Sequence, residues 1–378
     1  MSEVHTKKNL NWLNVIFILG TPILAIALTI LYCLKNDFNP WMILIFLLFY
    51  LATGISITAG YHRLFSHQSY QANNWVKAFF LFFGAGAFQN SVLEWAADHR
   101  NHHKFVDQNK DPYNIRRGFW WAHMGWIFFH DSSPCAFNKD LQKDPLVLFQ
   151  HKHYLVIAIV SGLLLPTLLG GMFGSYLGGL AIGGLLRAVV VHHFTFFINS
   201  LCHMVGRQTY TDQNSARDSF FMAFLTYGEG YHNFHHQFQA DYRNGIRWYQ
   251  FDPTKWTIRT LFSMGAAKKL RRTDDRAILR AKMCMDQKRI KAKAMEPEML
   301  KVLSETLENL QAKVENAQTQ WKKLKADYQV YKNQKMEGRR RKMLKLRADL
   351  RLARLEFKYA HRQWKAYTRI LLKQNSAW

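Results

Sequence analysis

Residues 41–60 read WMILIFLLFYLATGISITAG without a single charge, and Tyr61-His62-Arg63-Leu64-Phe65-Ser66-His67 follows at once. Twenty apolar residues wound as an α-helix cover about 30 Å, the thickness of the hydrocarbon core of a bilayer. A membrane span that runs straight into a pair of histidines indicates both the class of fold and where its chemistry lies. Upstream, Trp12 to Leu34 is a second uncharged run, and only residues 35–40 separate the two. So short a connection predicts a tight hairpin.

Downstream, Tyr154 to Phe173 and Tyr176 to Ser200 form another apolar pair, joined by a very short turn around Gly174. The last run carries Arg187, His192 and His193, so its inner half is expected to face protein rather than lipid. Trp75 to Leu93 is also apolar but holds Lys77, Gln89 and Asn90, which suits a helix dipping into the interface better than a full crossing. The expected fold is an all-α membrane protein with four transmembrane helices, about 12–34, 41–60, 154–173 and 176–200, arranged as two hairpins. Four crossings return the chain to its starting side. The N-terminus, residues 61–153 and everything after Ser200 then share one side, where they can form a helical cap. Lys7, Lys8 and the many Lys and Arg of the central segment make that side cytoplasmic, both termini included.

Histidine follows the same partition. His62-x4-His67, His99-x2-His102-His103 and His232-x2-His235-His236 each sit just outside an apolar run, and His203 follows the last run in Asn199-Ser200-Leu201-Cys202-His203. Imidazole is a preferred ligand of iron, copper, nickel and zinc. Residues at i, i+3 and i+4 share a helical face, so the second and third clusters can each converge. His62 and His67 lie about 140° apart on an ideal α-helix, so they are expected to reach two different metals or to straddle a helix end. Nine imidazoles exceed the needs of one ion and call for a dinuclear centre. Zinc sites take three or four protein ligands, and the Glu plus Glu-x-x-His pattern of soluble di-iron bundles is missing. An all-nitrogen di-iron site fits best. His123, His130, His151, His153, His192 and His193 read as structural or supporting, and His5 and His361 as solvated.

Charge divides the chain in another way. Its net charge is +25, and from Gly265 onward 31 Lys and Arg stand against 12 Asp and Glu. No nucleic-acid motif accompanies this charge, so nucleic acid is not an expected partner. Membrane lipid and an acidic protein remain. Cys33, Cys135, Cys202 and Cys284 form no CxxC pair and suggest no disulfide framework. No cleavable signal peptide is evident, the first apolar run being long enough to stay as an anchor. Leu300, Leu303, Leu307, Leu310, Val314, Ala317, Trp321, Leu324, Tyr328 and Tyr331 keep a 3-4 spacing, and a second series runs from Met343 to Leu371 through Phe357 and Trp364. Gly338 interrupts the two, predicting an antiparallel helical hairpin or coiled coil able to self-associate. The expected organisation is a membrane domain over 1–262, a basic linker over 263–296 and a basic helical extension over 297–378.

At the level of motifs the chain resembles the membrane fatty acyl desaturases, in particular the Δ9, stearoyl-CoA desaturase-like branch. The resemblance rests on Thr58-Ala-Gly-Tyr-His-Arg-Leu-Phe-Ser-His67, Gln89-Asn-Ser-Val-Leu-Glu-Trp-Ala-Ala-Asp-His-Arg-Asn-His-His103 and Asp111-Pro-Tyr-Asn114. It continues through Asn199-Ser-Leu-Cys-His203 and Gly228-Glu-Gly-Tyr-His-Asn-Phe-His-His236, and covers roughly residues 10–262. The basic tail has no counterpart in it.

That resemblance implies that His62, His67, His99, His102, His103, His203, His232, His235 and His236 ligate two iron ions (Fe2+/Fe3+), with Asn199 completing one coordination sphere through water. It implies a kinked acyl tunnel in which Gln89, Trp95 and Thr195 shape the bend at carbons 9 and 10, and Tyr50 and Gly54 close the methyl end. Asn90 and Asp98 match head-group contacts. Two positions depart from the pattern. Ala97 stands where animal members carry an Arg that contacts coenzyme A, and Phe196 where a Trp hydrogen-bonds the acyl carbonyl. Fatty acyl-CoA is still the first expected substrate, ahead of acyl carrier protein or an acyl-lipid, with O2 as co-substrate.

No His-Pro-Gly-Gly motif, dinucleotide fingerprint or cysteine cluster occurs in these residues. The implied electron donor is a separate protein, cytochrome b5 or a ferredoxin with its reductase. The nearest rival is a membrane di-iron fatty acid or alkane hydroxylase. A non-catalytic membrane metal binder is another, although its ligands would be expected inside the spans. A scaffold built on the tail is the third, and the full histidine set argues against it.

Overall fold

The structure is a computed structural model that describes residues 10–129, 138–292, 297–333 and 339–374. It divides into two compact units. One comprises the chain up to Thr209 together with Gln213–Arg272, and the other Tyr210–Asp212 with Thr273–Trp378.

In the first unit, four helices are long and apolar enough to cross a membrane: Trp12–Lys35, Pro40–Ser66, Tyr154–Met172 and Tyr176–His203. Their starts follow local chemistry. The side chain of Asn11 caps α1 (Trp12–Lys35), and Asn39 caps α2 (Pro40–Ile55), which has Pro40 in its first turn where no intrahelical N–H is needed. Gly174 makes the turn of the second hairpin at φ +107°, a conformation that costs a glycine little. Exposed Ile16, Ile23, Leu48 and Leu51 turn outward from the first hairpin, as lipid-facing side chains do. Four helices suited to the expected spans, in two consecutive pairs, are thus present.

Beyond Ile55 the second span changes its winding, and Ser56–Ser66 is π-helical with every residue buried. Between the hairpins lie two shorter helices, α3 (Asn74–Ala85) and α4 (Val92–Phe105). α3 has 12 residues, too few to cross a bilayer, in keeping with the interfacial reading of that stretch. A turn with Phe88 and Asn90 at positive φ redirects the chain into α4, whose first turn is closed by a capping box of Ser91 and Glu94. A two-stranded ladder, Gln71 opposite Lys268 and Ala72 opposite Ala267, ties the end of this unit back to the segment after the first histidine pair.

The second unit contains helices Asp275–Lys291, Pro297–Asn333 and Arg339–Gln374. The two long helices are antiparallel. Trp321 stacks on Phe357 at 5.4 Å, Arg347 donates to the Tyr328 hydroxyl, and the Lys342 ammonium lies over the Tyr331 ring. Residues 263–296, expected as a linker, are structured where they are described. They hold the strand Ala267–Lys268 and a 17-residue helix that buries Met283 and Ile290 with Leu303, Leu307, Val314 and Trp364. The density of basic residues hid these two apolar anchors. His361, expected to be solvated, is half-buried and stacks on Phe357. His5 and His130 lie outside the described residues.

Candidate metal centre

Nine imidazoles gather into two groups, and the partition differs from that of the sequence motifs. His62, His67, His99, His103 and His235 form one group, and His102, His203, His232 and His236 the other. Within each group the ligand atoms all lie within 4.8 Å of one another. Two helices supply most of them by crossing over. α4 sends His99 and His103, one turn apart, to the first group and His102 to the second. The helix His232–Gln237 does the reverse, with His232 and His236 in the second group and His235 in the first. Each three-histidine motif was expected to converge on one face, and the structure instead divides both between two centres. One helix face is wide enough to serve two points.

His62 and His67 enter the same group. An α-helix would separate them by about 140°, but the segment is π-helical and the His67 N–H donates to the His62 carbonyl at 3.0 Å. The resulting turn of five residues sets their rings edge to face on one side, with centroids 4.7 Å apart. Of the two expectations, two separate metals is not what is seen. The helix-end reading holds, since His67 caps the π-helical segment.

The ring edges facing inward are the Nε2 edges. His62 and His235 approach at 3.1 Å, His67 and His99 at 2.8 Å, and His235 and His103 at 3.0 Å. In the second group His203 and His236 each lie 3.1 Å from His232, and His102 lies 3.3 Å from His236. Burial, followed by the neighbouring imidazoles, holds His67, His99, His103, His235 and His236 well below the usual range, and pushes His232 down to about 3. These rings are therefore neutral, the state in which imidazole binds metal. Converging neutral Nε2 atoms cannot all donate to one another, and a cation at the middle of each group would satisfy what the rings leave open. All-nitrogen groups of five and four fit borderline divalent ions such as iron.

Three of the outward Nδ1 atoms, those of His62, His102 and His203, face polar partners. Asp111 accepts from His102 Nδ1 at 2.9 Å and is itself held by the backbone N–H groups of Asp107 and Tyr113. His203 Nδ1 lies 2.7 Å from the Ser215 hydroxyl, which donates to Asp107 at 2.6 Å. Glu229 stands 3.0 Å from His62 Nδ1 and 2.8 Å from the Arg63 guanidinium, which also reaches Asp252 at 3.1 Å. Burial alone would raise the Glu229 carboxyl, but Arg63 and His62 outweigh it and hold the group down to about 2. Such partners fix the tautomer and aim Nε2 inward. Glu229 and Asp111 lay in the quoted motifs without a role, whereas the Asp107–Ser215 pair joins residues 108 apart and left no sequence signal.

A cavity of about 300 Å3 reaches the first group, and His62, His99 and Glu229 form part of its wall. Gln89, Asn90, Trp95, Asp98, Thr195 and Phe196 line it, as does Asn199. Gln89 joins two of them: its Nε2 donates to Thr195 at 3.1 Å, and its Oε1 accepts from Trp95 Nε1 at 3.3 Å. The turn carrying Gln89 is clamped from the fourth span, where Arg187 donates to the carbonyls of Gly86 and Gly162 and His192 lies 2.7 Å from the Ala87 carbonyl. Leu13 and Phe17 of the first span also line the cavity, and nothing in their sequence context marked them. Tyr50 and Gly54 are not among the lining residues. Gly54 packs against the Tyr227 ring, whose hydroxyl donates to the Tyr50 carbonyl at 3.1 Å.

Of the remaining histidines, His151 lies 2.7 Å from the Ser91 hydroxyl that caps α4, His153 packs on Phe149, and His123 sits between Ser200 and His193. A second, polar depression borders the first group from another side, lined by His67 and His103 with Ser66, Arg100, Lys104, Gln239 and Ala240.

Comparison with known proteins agrees with this geometry. The fatty acid desaturase family model matches residues 39–269. The chain is 42% identical over 287 residues to a probable acyl-CoA desaturase of Schizosaccharomyces pombe, covering 74% of this chain and 59% of that protein. It is 39% identical over 290 residues to acyl-CoA desaturase 1 of Saccharomyces cerevisiae, covering 76% and 56%. It is 36% identical over 273 residues to the sn-1 stearoyl-lipid 9-desaturase of Anabaena variabilis, covering 71% and 97%. The match thus spans less than two thirds of the length of the first two relatives and nearly all of the third. A membrane protein with four apolar helices and two all-histidine groups, this chain belongs to the fatty acid desaturase family.

Proposed function

We propose that the chain catalyses O2-dependent Δ9 desaturation of a saturated fatty acyl chain, giving a cis monounsaturated product. The observation that carries this reading is the shared wall between an apolar cavity and the five-histidine group, formed by His62 and His99. In this reading the nine histidines would hold two iron ions, five at one centre and four at the other, and Asn199 would complete one of them through water. Iron bound there would supply the O2 activation and hydrogen removal that no amino-acid side chain can perform.

The protein's own residues do the rest. Asp111, Glu229 and the Ser215–Asp107 pair keep the imidazole lone pairs aimed inward. Leu13, Phe17 and Ile57 offer an apolar lining that excludes water from the chain. The Trp95–Gln89–Thr195 chain of hydrogen bonds holds a polar corner in that lining, where we place the bend at carbons 9 and 10. Asn90 and Asp98 serve the head group. Tyr50 and Gly54, packed on Tyr227, stop the methyl end from behind the cavity wall.

Acyl-CoA is the proposed carrier, as in the names of the two relatives from Schizosaccharomyces and Saccharomyces. The Anabaena relative is named for a lipid-linked chain, and Ala97 and Phe196 lack the head-group contacts of the animal pattern, so an acyl-lipid is the alternative. Electrons come from a separate acidic donor, cytochrome b5 or a ferredoxin. Its docking place is the depression where Arg100 and Lys104 flank His67 and His103. We assign this face, the histidines and both termini to the cytoplasmic side, from the Lys and Arg excess there.

Expression in a host without its own Δ9-desaturase tests the proposal. A new cis-9 monoene is expected from the wild-type chain and none from His103→Ala. An alcohol in place of the alkene would point to a hydroxylase instead.

A further inference from the structure

The helix Arg339–Gln374 buries only one of its faces. Ala353, Ala360 and Trp364 pack inward, with Phe357, Tyr367 and Leu371 half-buried beside them. Turned away from that core, Leu344, Leu352, Leu355, Tyr359 and Ile370 are each more than half exposed. At about 100° per residue these five fall within an arc of about 80°, with exposed Ala348 and Ala366 between them. Arg351, Arg354, Lys358, Arg362, Lys365 and Arg369 occupy the adjoining arc, all of them exposed. Among the described residues no carboxylate forms an ion pair with any of the six. The acidic residues of the helix, Asp349 and Glu356, lie on the opposite border of the apolar stripe.

We propose that this face is a docking surface for anionic phospholipid, lying in the plane of a bilayer interface. An apolar stripe beside an unpaired basic face is the pattern of an interfacial helix: the stripe enters the boundary between headgroups and acyl chains, and the cations meet lipid phosphate and carboxylate. Long Arg and Lys side chains reach headgroups while their methylene stems extend the apolar contact. A second copy of the helix is a poorer occupant: antiparallel pairing of the stripes brings two rows of six cations together, and parallel pairing sets six cations against only Asp349 and Glu356. An acidic polypeptide would meet the charge but would have to supply an apolar strip of the same length. Lipid needs no such match. The four spans already hold the chain in a membrane, so a lipid surface is always present at high effective concentration.

Hydroxyl-radical footprinting of the full chain in lipid nanodiscs tests this directly. Discs of phosphatidylcholine alone are compared with discs in which about one third of the lipid is phosphatidylserine. Oxidation of Leu352, Leu355 and Tyr359 is expected to fall at least about twofold in the anionic discs, and to recover at about 0.5 M salt. It should also recover in the triple variant Arg354→Glu, Lys358→Glu, Lys365→Glu, whose changed positions are exposed and leave the Trp364 core intact. Equal oxidation in both discs would overturn the proposal. So would protection already present in phosphatidylcholine and unmoved by the variant, since a second copy or another protein surface would then cover the stripe. Protection that appears only when polyglutamate is added would overturn it as well, by making an acidic polypeptide the partner.

Discussion

The backbone N–H of His67 donates to the carbonyl of His62, and the two imidazoles meet nearly perpendicular with centroids 4.7 Å apart. One i→i+5 hydrogen bond thus decides that both belong to the same centre. A π-helical turn in a helix commonly marks a functional site, because it is less favourable than α and is kept only where its geometry is used.

His62→Ala and His67→Ala should therefore empty the same centre, and His203→Ala the other. Metal analysis of the purified chain should read about one iron for each variant against two for the wild type. Mössbauer spectra should show His62→Ala and His67→Ala losing the same component, and His203→Ala losing the remaining one. Different components lost from the first two variants would contradict a shared centre.

Asp111→Asn tests the outward partners. The substitution keeps the size of the side chain but removes the charge beside His102 Nδ1, 2.9 Å away. Outer partners of this kind are worth about 10- to 100-fold in metal affinity. Iron titration should show that loss in the four-histidine group, with the five-histidine group filling normally.

Arg187→Met should loosen the turn that carries Gln89. The guanidinium donates to the carbonyls of Gly86, at 2.7 Å, and Gly162, at 2.6 Å, and leaving buried acceptors unmade costs about 1–3 kcal/mol. Thermal unfolding in detergent should fall accordingly. Gas chromatography of the products should show isomers other than cis-9, because Gln89 is no longer held against Thr195. Arg187→Lys, which can reach one carbonyl, should restore part of both.

Gly54→Ala addresses the methyl end. A Cβ there would stand 2.1 Å from the Tyr227 ring, so the ring must move. Overpacking of this kind costs about 1–3 kcal/mol. If Tyr50, Gly54 and Tyr227 close the end of the chain, product lengths should shift toward shorter acyl groups. An unchanged length profile in a folded variant would remove that role.

Asp218 predicts the pH dependence of stability. Burial pushes its carboxyl up to about 7 in the folded chain, against an ordinary 3.8, although the backbone N–H of Phe234 donates to it. A raised carboxyl favours the folded state at low pH. That advantage declines as pH rises from about 4 to about 7, by no more than about 4 kcal/mol, and stays lost above. Asp218→Asn should flatten this slope, raising the melting temperature most at pH 8, less at pH 5, and changing it little below pH 4.

Much of this was legible in the sequence because it rests on composition and local spacing. Uncharged runs gave the four spans, and histidines at their edges gave the site. The resemblance supplied Gln89 and Thr195, which the structure joins across 106 residues by one hydrogen bond. The division of His99, His102 and His103 between two centres was not legible, since it depends on where a second helix places His232, His235 and His236. The π-helical turn was not legible either, because no side-chain pattern marks the change from four-residue to five-residue closure. Met283 and Ile290 were hidden within a basic stretch whose charge suggested a linker.

The proposed reaction is identified by its product. The purified chain, loaded with iron and reconstituted in nanodiscs, is supplied with stearoyl-CoA, O2 and reduced cytochrome b5. Mass spectrometry of the acyl products should show the cis-9 monoene, two mass units lighter than the substrate. A hydroxylated chain, or unchanged substrate from iron-loaded protein that is offered acyl-lipid as well as acyl-CoA, would contradict the account.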